Sequence, residues 1–244
     1  MLCAILFIPH INRNIDTGDG GEFILTASLL GNAHPSGYPL YNISAHLFHL
    51  LPFGNEAFKA SLFSMTFLIA CGFFVALIIE ELSDDFVFAF TGGIACICGF
   101  TFLYSGLTQE AYTLMLFFLL GALYFYIRYL NTLNFDYAKA CFFSVGLMTA
   151  VHITGVFYFI ILFICILANR DGEDRIRKII TSFYFALPLV IYGFMFFRGD
   201  AVFSWGRVEN IGDVYALISG SERDVGSRFF SLEPAQYLHQ FSVY

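Results

Sequence analysis

Residues 60–79 read ASLFSMTFLIACGFFVALII, a run of 20 side chains without a single charge. A helix of that length is about 30 Å long, which matches the hydrocarbon layer of a bilayer and the roughly 20 apolar residues needed to cross it. Working outward, uncharged stretches recur at 86–104, 111–127, 140–151, 153–168 and 179–197. Residues 1–9 (MLCAILFIP) look like the stump of another. The whole chain of 244 residues is 58% apolar and only 13% charged, with a mean hydropathy of +0.73. A soluble domain carries about a quarter charged residues. The expected fold is therefore all-α, a polytopic transmembrane helical bundle of about 6–7 membrane segments.

Ala140 to Ala168 would make one helix of 29 residues, roughly 43 Å long and too much for a single untilted crossing. We expect two short helices turning at His152. Counting crossings from a cytoplasmic start then puts 10–59, 105–110, His152 and 198–244 on the outer face. The inner face receives 80–85, 128–139 and 169–178. Arg128, Lys139, Arg170, Arg175, Arg177 and Lys178 fall on the inner side, against Arg13, Lys59 and Arg198 near helix ends on the outer side. Six against three agrees with the preference of basic residues for the cytoplasm.

Both ends read as cut: 1–198 is expected to be a transmembrane module with a truncated first helix. Residues 199–244 would open a less apolar exterior region. No basic leader segment or small-residue cleavage site precedes residue 10. The net charge of −7 argues against nucleic acid, which demands a basic patch. All six cysteines sit in apolar stretches and read as small hydrophobes. No inferred span carries a charge near its centre, which disfavours pumps, proton relays and ion channels.

The ionisable groups instead gather in the loop 10–59. Asp19 stands among glycines that allow close backbone approach to a ligand, and a surface carboxylate there suits a general base or a cation ligand. Glu22 lies three residues on, so a nascent helix would bring both carboxylates to one face. The alternative is a solvated acidic loop, with Asp19 capping the helix Phe23 to Leu30 and Glu22 in its first turn. Two rigid turns follow, His34-Pro35 and Tyr38-Pro39. Tyr41 to Leu51, with Ile43, Leu47 and Leu50 on one stripe, reads as an interfacial helix. His46 and His49 have metal-compatible spacing without a nearby acidic ligand, and read as an interfacial pair. The crossing count also puts Gln109-Glu110-Ala111-Tyr112, His152 and Ser204-Trp205-Gly206 on the outer face, so four segments converge there.

At these residues a resemblance emerges. Asp19-Gly20-Gly21-Glu22-Phe23 and Leu30-Gly31-Asn32-Ala33-His34-Pro35-Ser36-Gly37-Tyr38-Pro39-Leu40-Tyr41 resemble the signature D-S-G-E-(L/F)…L-G-x-x-H-P-P-G-Y-P-L-Y. That signature opens the protein O-mannosyltransferase family typified by eukaryotic transmembrane protein 260, which are GT-C-type glycosyltransferases. Gln109-Glu110-Ala111-Tyr112-Thr113-Leu114 is similar to the family's A-E-V-Y-(A/T)-L. Gly146 to Thr154 is similar to G-L-x-x-G-x-H-x-T, and Ser204-Trp205-Gly206 to a W-G motif. Gly20 replaces a serine and Ser36 a proline. Arg207 stands where an acidic residue or asparagine is common, and the element around Arg223 is poorly kept.

The resemblance implies a GT-C-like bundle and inverting transfer of a mannose-like sugar from a polyprenyl-phosphate donor. The acceptor would be a hydroxyl of a protein or glycan at the periplasmic or lumenal face of a bacterial inner or ER-type membrane. Asp19 would be the general base, with Glu22 beside it in the catalytic pair. His34, Glu110 and Tyr112 would shape the substrate site, and Tyr38 and Trp205 would stack on sugar or lipid. His152, Arg223 and Arg228 would stabilise the leaving phosphate, and a divalent cation near Asp19 is possible. Two other readings stay open: a carrier or flippase for lipid-linked sugars, and an inactive scaffold subunit.

Overall fold

The computed structural model describes residues 6–169, 172, 174–199, 201–206 and 208–220. Every regular element among them is helical. After a 3-10 turn at Ile8–His10 come α1 (Gly20–Leu29), α2 (Pro39–His49), α3 (Glu56–Ser83), α4 (Phe86–Ile97) and α5 (Phe100–Leu107). Then follow α6 (Tyr112–Thr132), α7 (Phe135–Val151), α8 (Gly155–Ala168) and α9 (Arg175–Ser182). A 3-10 stretch, Phe183–Gly193, carries α9 into α10 (Phe194–Phe197), and α11 is Ile211–Ser219.

Helix starts follow local chemistry. The side chains of Asn55, Asp85, Asn134 and Asp174 accept backbone N–H bonds at the starts of α3, α4, α7 and α9, satisfying donors that the first turn leaves unpaired. Three continuous helical stretches, Glu56–Ser83, Tyr112–Thr132 and Arg175–Phe197, are long and apolar enough to cross a membrane. The expected span 86–104 is instead broken: α4 and α5 meet at 63° and count as a fourth crossing only if taken together. The break falls at Cys98-Gly99, where Gly99 leaves helical geometry with ψ 137. The turn expected at His152 is present, since α7 ends at Val151 and His152 is extended. Its flanking helices, 17 and 14 residues long, fall short of the ~20 residues of a full crossing. By length and composition the described residues therefore supply three or four crossings, against the six or seven expected.

α3 packs on α4, α5 and α6, while α7 packs on α6, α8 and the 3-10 stretch. Small residues allow the closest approach, as in other membrane bundles. A Cβ on Gly93 would lie 2.6 Å from the Gly72 carbonyl oxygen, so α3 and α4 touch backbone to backbone. Phe73, Phe88, Phe157, Ile164 and Val190 all project outward, as side chains facing lipid do. One end of the bundle carries ion pairs and cation–π contacts: Arg128 pairs with Glu81 at 2.9 Å, and Arg177 sits 3.9 Å over the Phe135 ring. α1 and α2 pack together across the opposite end, on α3 and α7. Leu47 and Leu50 of the α2 segment face outward while Tyr41, Asn42, Ala45 and His49 face in.

Gly93→Val is expected to overpack the α3–α4 contact by about 1–3 kcal/mol, lowering the thermal unfolding midpoint in detergent. Gly193→Ala, whose added Cβ meets nothing within 4 Å, serves as the neutral control.

Candidate functional site

Gly18 turns the chain at φ +82, a conformation that suits glycine, and delivers Asp19 to the start of α1. Asp19 occupies the N-cap position, yet its side chain makes no capping bond. The carboxylate stays 57% exposed, with Oδ2 3.8 Å from His34 Nε2. Glu22, in the first turn of α1, is committed differently. Its Oε1 accepts the His34 backbone N–H at 2.6 Å and faces Nδ1 at 3.0 Å. A carboxylate in that position assigns the proton to Nδ1 and leaves Nε2 turned toward Asp19. The Tyr38 hydroxyl lies 3.3 Å from the same nitrogen. Burial alone would lower the His34 pKa, but the Glu22 hydrogen bond and the Glu22 and Asp19 charges outweigh it and raise it.

A chain of rings extends from His34. Phe23 and Tyr38 pack against it with centroids 5.7 and 5.0 Å away, Trp205 stands 6.1 Å off, and Tyr38 reaches His152 at 5.3 Å. His152 arrives through the break between α7 and α8; burial and the His34 charge hold its pKa down. Trp205 arrives because residues 203–205 lie across the first loop. The Trp205 backbone N–H donates to the Asn32 carbonyl at 2.9 Å, and a Cβ on Gly31 would collide with the Phe203 carbonyl oxygen. Arg198 fastens the same junction, donating to the Leu29 and Leu30 carbonyls at 2.7 Å each.

Glu110 closes the other side, half-buried just before α6. Burial, then the Asp19 and Asp16 charges, raise its carboxyl above the usual range. Tyr38 feels Tyr112, Asp19, Glu22 and Glu110 in turn, after burial, and is shifted upward. The structure thus brings Asp19, Glu22, His34, Tyr38, Glu110, Tyr112, His152 and Trp205 to one end of the bundle. Arg223 and Arg228 lie outside the described residues. Asp19, Glu22 and His34 offer ligand atoms all within 4.8 Å of one another, a spacing that accommodates a divalent cation. His46 and His49 are spent elsewhere, on the Ala27 carbonyl and on Glu56.

Three polar residues of the site were given no role by the sequence, although Gln109 lies in a segment placed on the outer face. Asn42, fully buried in α2, donates to the Gly31 and Gly37 carbonyls at 3.1 Å each and accepts from Thr26. Asp16 accepts from the Tyr104 hydroxyl at 3.0 Å. Gln109 holds the Asp16 backbone. A buried amide on an otherwise apolar helix face is the signal that marks Asn42; the other two sit in polar loops that give none. The two departures from the first signature also find physical reasons. A Cβ at Gly20 would come within 2.9 Å of Gln109 Oε1, and the Ser36 hydroxyl accepts the Ile153 N–H at 3.3 Å, which a proline could not do.

Residues 19–175 match the family described as Protein O-mannosyl-transferase TMEM260 N-terminal domain. Over 74 residues the chain is 40% identical to Protein O-mannosyl-transferase TMEM260 of Mus musculus, which covers 30% of this chain and 10% of that protein. Over 51 residues it is 37% identical to Protein O-mannosyl-transferase tmem260 of Dictyostelium discoideum, covering 20% of this chain and 6% of that protein. The alignments therefore span a tenth or less of these relatives. No solved structure matches the chain.

Asn42→Ala removes its bonds to the Gly31 and Gly37 carbonyls and to the Thr26 hydroxyl and is expected to cost about 1–3 kcal/mol. Thermal unfolding should fall accordingly, and a cysteine placed at Ser36 should label faster as the loop loosens.

Proposed function

Because the chain belongs to the family of the protein O-mannosyl-transferase TMEM260, we propose that it works as a membrane glycosyltransferase of GT-C type. It passes a mannose-like sugar from a polyprenyl-phosphate donor to an acceptor hydroxyl of a protein or glycan at the outer or lumenal face. The observation that carries this reading is the Asp19 carboxylate. It is exposed and uncapped, and it stands against a wall of aromatic and imidazole rings at one end of an apolar helix bundle.

In the reaction the acceptor oxygen attacks the anomeric carbon as the bond from that carbon to the phosphate oxygen breaks. The acceptor proton passes to Asp19 and the lipid phosphate leaves with the electron pair. A single displacement of this kind inverts the anomeric centre. Glu22 holds His34 in one ring orientation beside the base, and Tyr38 and Trp205 offer ring faces to the sugar. Glu110, with its raised pKa, presents a carboxyl suited to hydrogen-bonding sugar hydroxyls. An open, mainly apolar groove of about 310 Å³, lined by His10, Phe100, Leu103, Tyr104 and Leu107, adjoins the site through Tyr104 and suits the isoprenoid chain.

The charge balance bears on the cation. Among the described residues no lysine or arginine contributes to the shifts of His34, Tyr38, Glu110 or His152, while Asp16, Asp19, Glu22 and Glu110 surround the cleft. A divalent cation held by Asp19, Glu22 and His34 would supply counter-charge for the phosphate. The second oxygen of Asp19 would remain free to take the proton.

Two assays in membranes, with labelled polyprenyl-phosphate mannose and a peptide rich in serine and threonine, test the reading. Asp19→Asn is expected to lower transfer by about 10²–10⁴-fold while leaving the unfolding midpoint near wild type; undiminished transfer would remove Asp19 as the base. Chelation by EDTA is expected to slow transfer and Mn²⁺ to restore it. Full activity in EDTA would remove the cation and leave the base untouched.

A further inference from the structure

The carboxylate that the proposed function relies on sits on a short loop, and a buried amide ties that loop to two other elements. Gln109 is 1% exposed. Its Oε1 accepts the Asp16 N–H at 2.9 Å, and its Nε2 donates to the Asn14 carbonyl at 3.3 Å and to the Ser61 hydroxyl at 2.6 Å. One side chain thus joins the first loop, the α5–α6 turn and α3. The next residue is fixed to the same helix, since the Glu110 N–H donates to Ser64 Oγ at 3.2 Å and its carbonyl accepts from that hydroxyl at 3.0 Å. The amide also packs against the loop beyond Asp16, where Gly20 leaves room for Oε1 that a Cβ would take.

We infer that Gln109 is a positioning residue that sets the placement of Asp19 relative to Glu110 across the cleft. Only Thr17 and Gly18 separate Asp16, which Gln109 holds, from Asp19. Glu110 follows Gln109 directly. Glu110, pinned to Ser64, and the loop that carries Asp19 are thus tied through adjacent residues, and losing the amide loosens that loop against α6. Gly18 is exposed with open space around it, so beside Gln109 the stretch has the Tyr104 hydroxyl on Asp16 as its second tie.

The inference rests on Asp19 being the base, so its test is a double-mutant cycle in membranes with labelled polyprenyl-phosphate mannose. Gln109→Met, which keeps the buried volume and removes both kinds of hydrogen bond, is expected to lower kcat by about 10–100-fold, as small misplacements of reacting groups do. The donor KM should move by less than kcat does, because Glu110 keeps its bonds to Ser64, and Tyr38 and Trp205 keep their own supports. In the Asp19→Asn background the same substitution should change the residual rate by less than about threefold, since there is no base left to misplace. Gln109→Ala is the second variant, read the same way, with unfolding midpoints measured for both. Equal losses with and without Asp19, or an active Gln109→Met, would overturn the positioning role while leaving the base in place. A fully active Asp19→Asn would overturn the base and this inference together.

Discussion

A hydrocarbon layer gives the backbone nothing to hydrogen-bond with, and that constraint shapes this chain more than any single contact. Within a long apolar helix the interior peptide groups bond inside their own segment. Asn55, Asp85, Asn134 and Asp174 cap helix starts with a side chain, and the break at Cys98-Gly99 and the 3-10 stretch Phe183–Gly193 are the irregular backbone inside apolar runs. Ionisable groups follow the same rule. At one end Arg128 pairs with Glu81; at the other Lys59 and His49 pair with Glu56, while Asp19 stays mostly exposed beside a crowd of rings. Chemistry collects where the backbone is free to be irregular.

At that end the carboxylates have unequal settings. Glu22 is consumed by His34, through both the backbone and the ring. Glu110 is drawn in beside Ser64 and shifted upward by burial and by its acidic neighbours. Asp19 alone keeps its oxygens largely in solvent. Environment, rather than residue type, divides the three into an orienting group, a hydrogen-bonding group and an accessible one.

How far the sequence disclosed this depends on which physical signal each feature leaves. Charge-free runs showed the long helices, and the excessive length of 140–168 showed the turn at His152. Counting crossings gathered the first loop, Glu110, His152 and Trp205 at one end before any coordinates. The break at Cys98-Gly99 left almost no trace, because an isolated glycine in an uncharged run neither changes hydropathy nor forces a turn. The helical cap expected of Asp19 was a fair local reading of an acidic residue before a helix, but the turn at Gly18 aims the carboxylate at His34 instead. Gln109 was invisible as a structural element: a neutral amide in a loop has no periodicity, and its partners lie 48 and 93 residues away in the chain.

The bond between Arg198 and the end of α1, together with the docking of Trp205 on Asn32, has a consequence in time. A ribosome delivers the first loop early and these two residues some 170 positions later. Until they emerge, the Leu29 and Leu30 carbonyls lack their guanidinium and the ring wall beside His34 lacks its indole. The cleft is therefore assembled from segments made far apart in time. A nascent chain makes α2 to α9 before the residues that close this side of the site have been added.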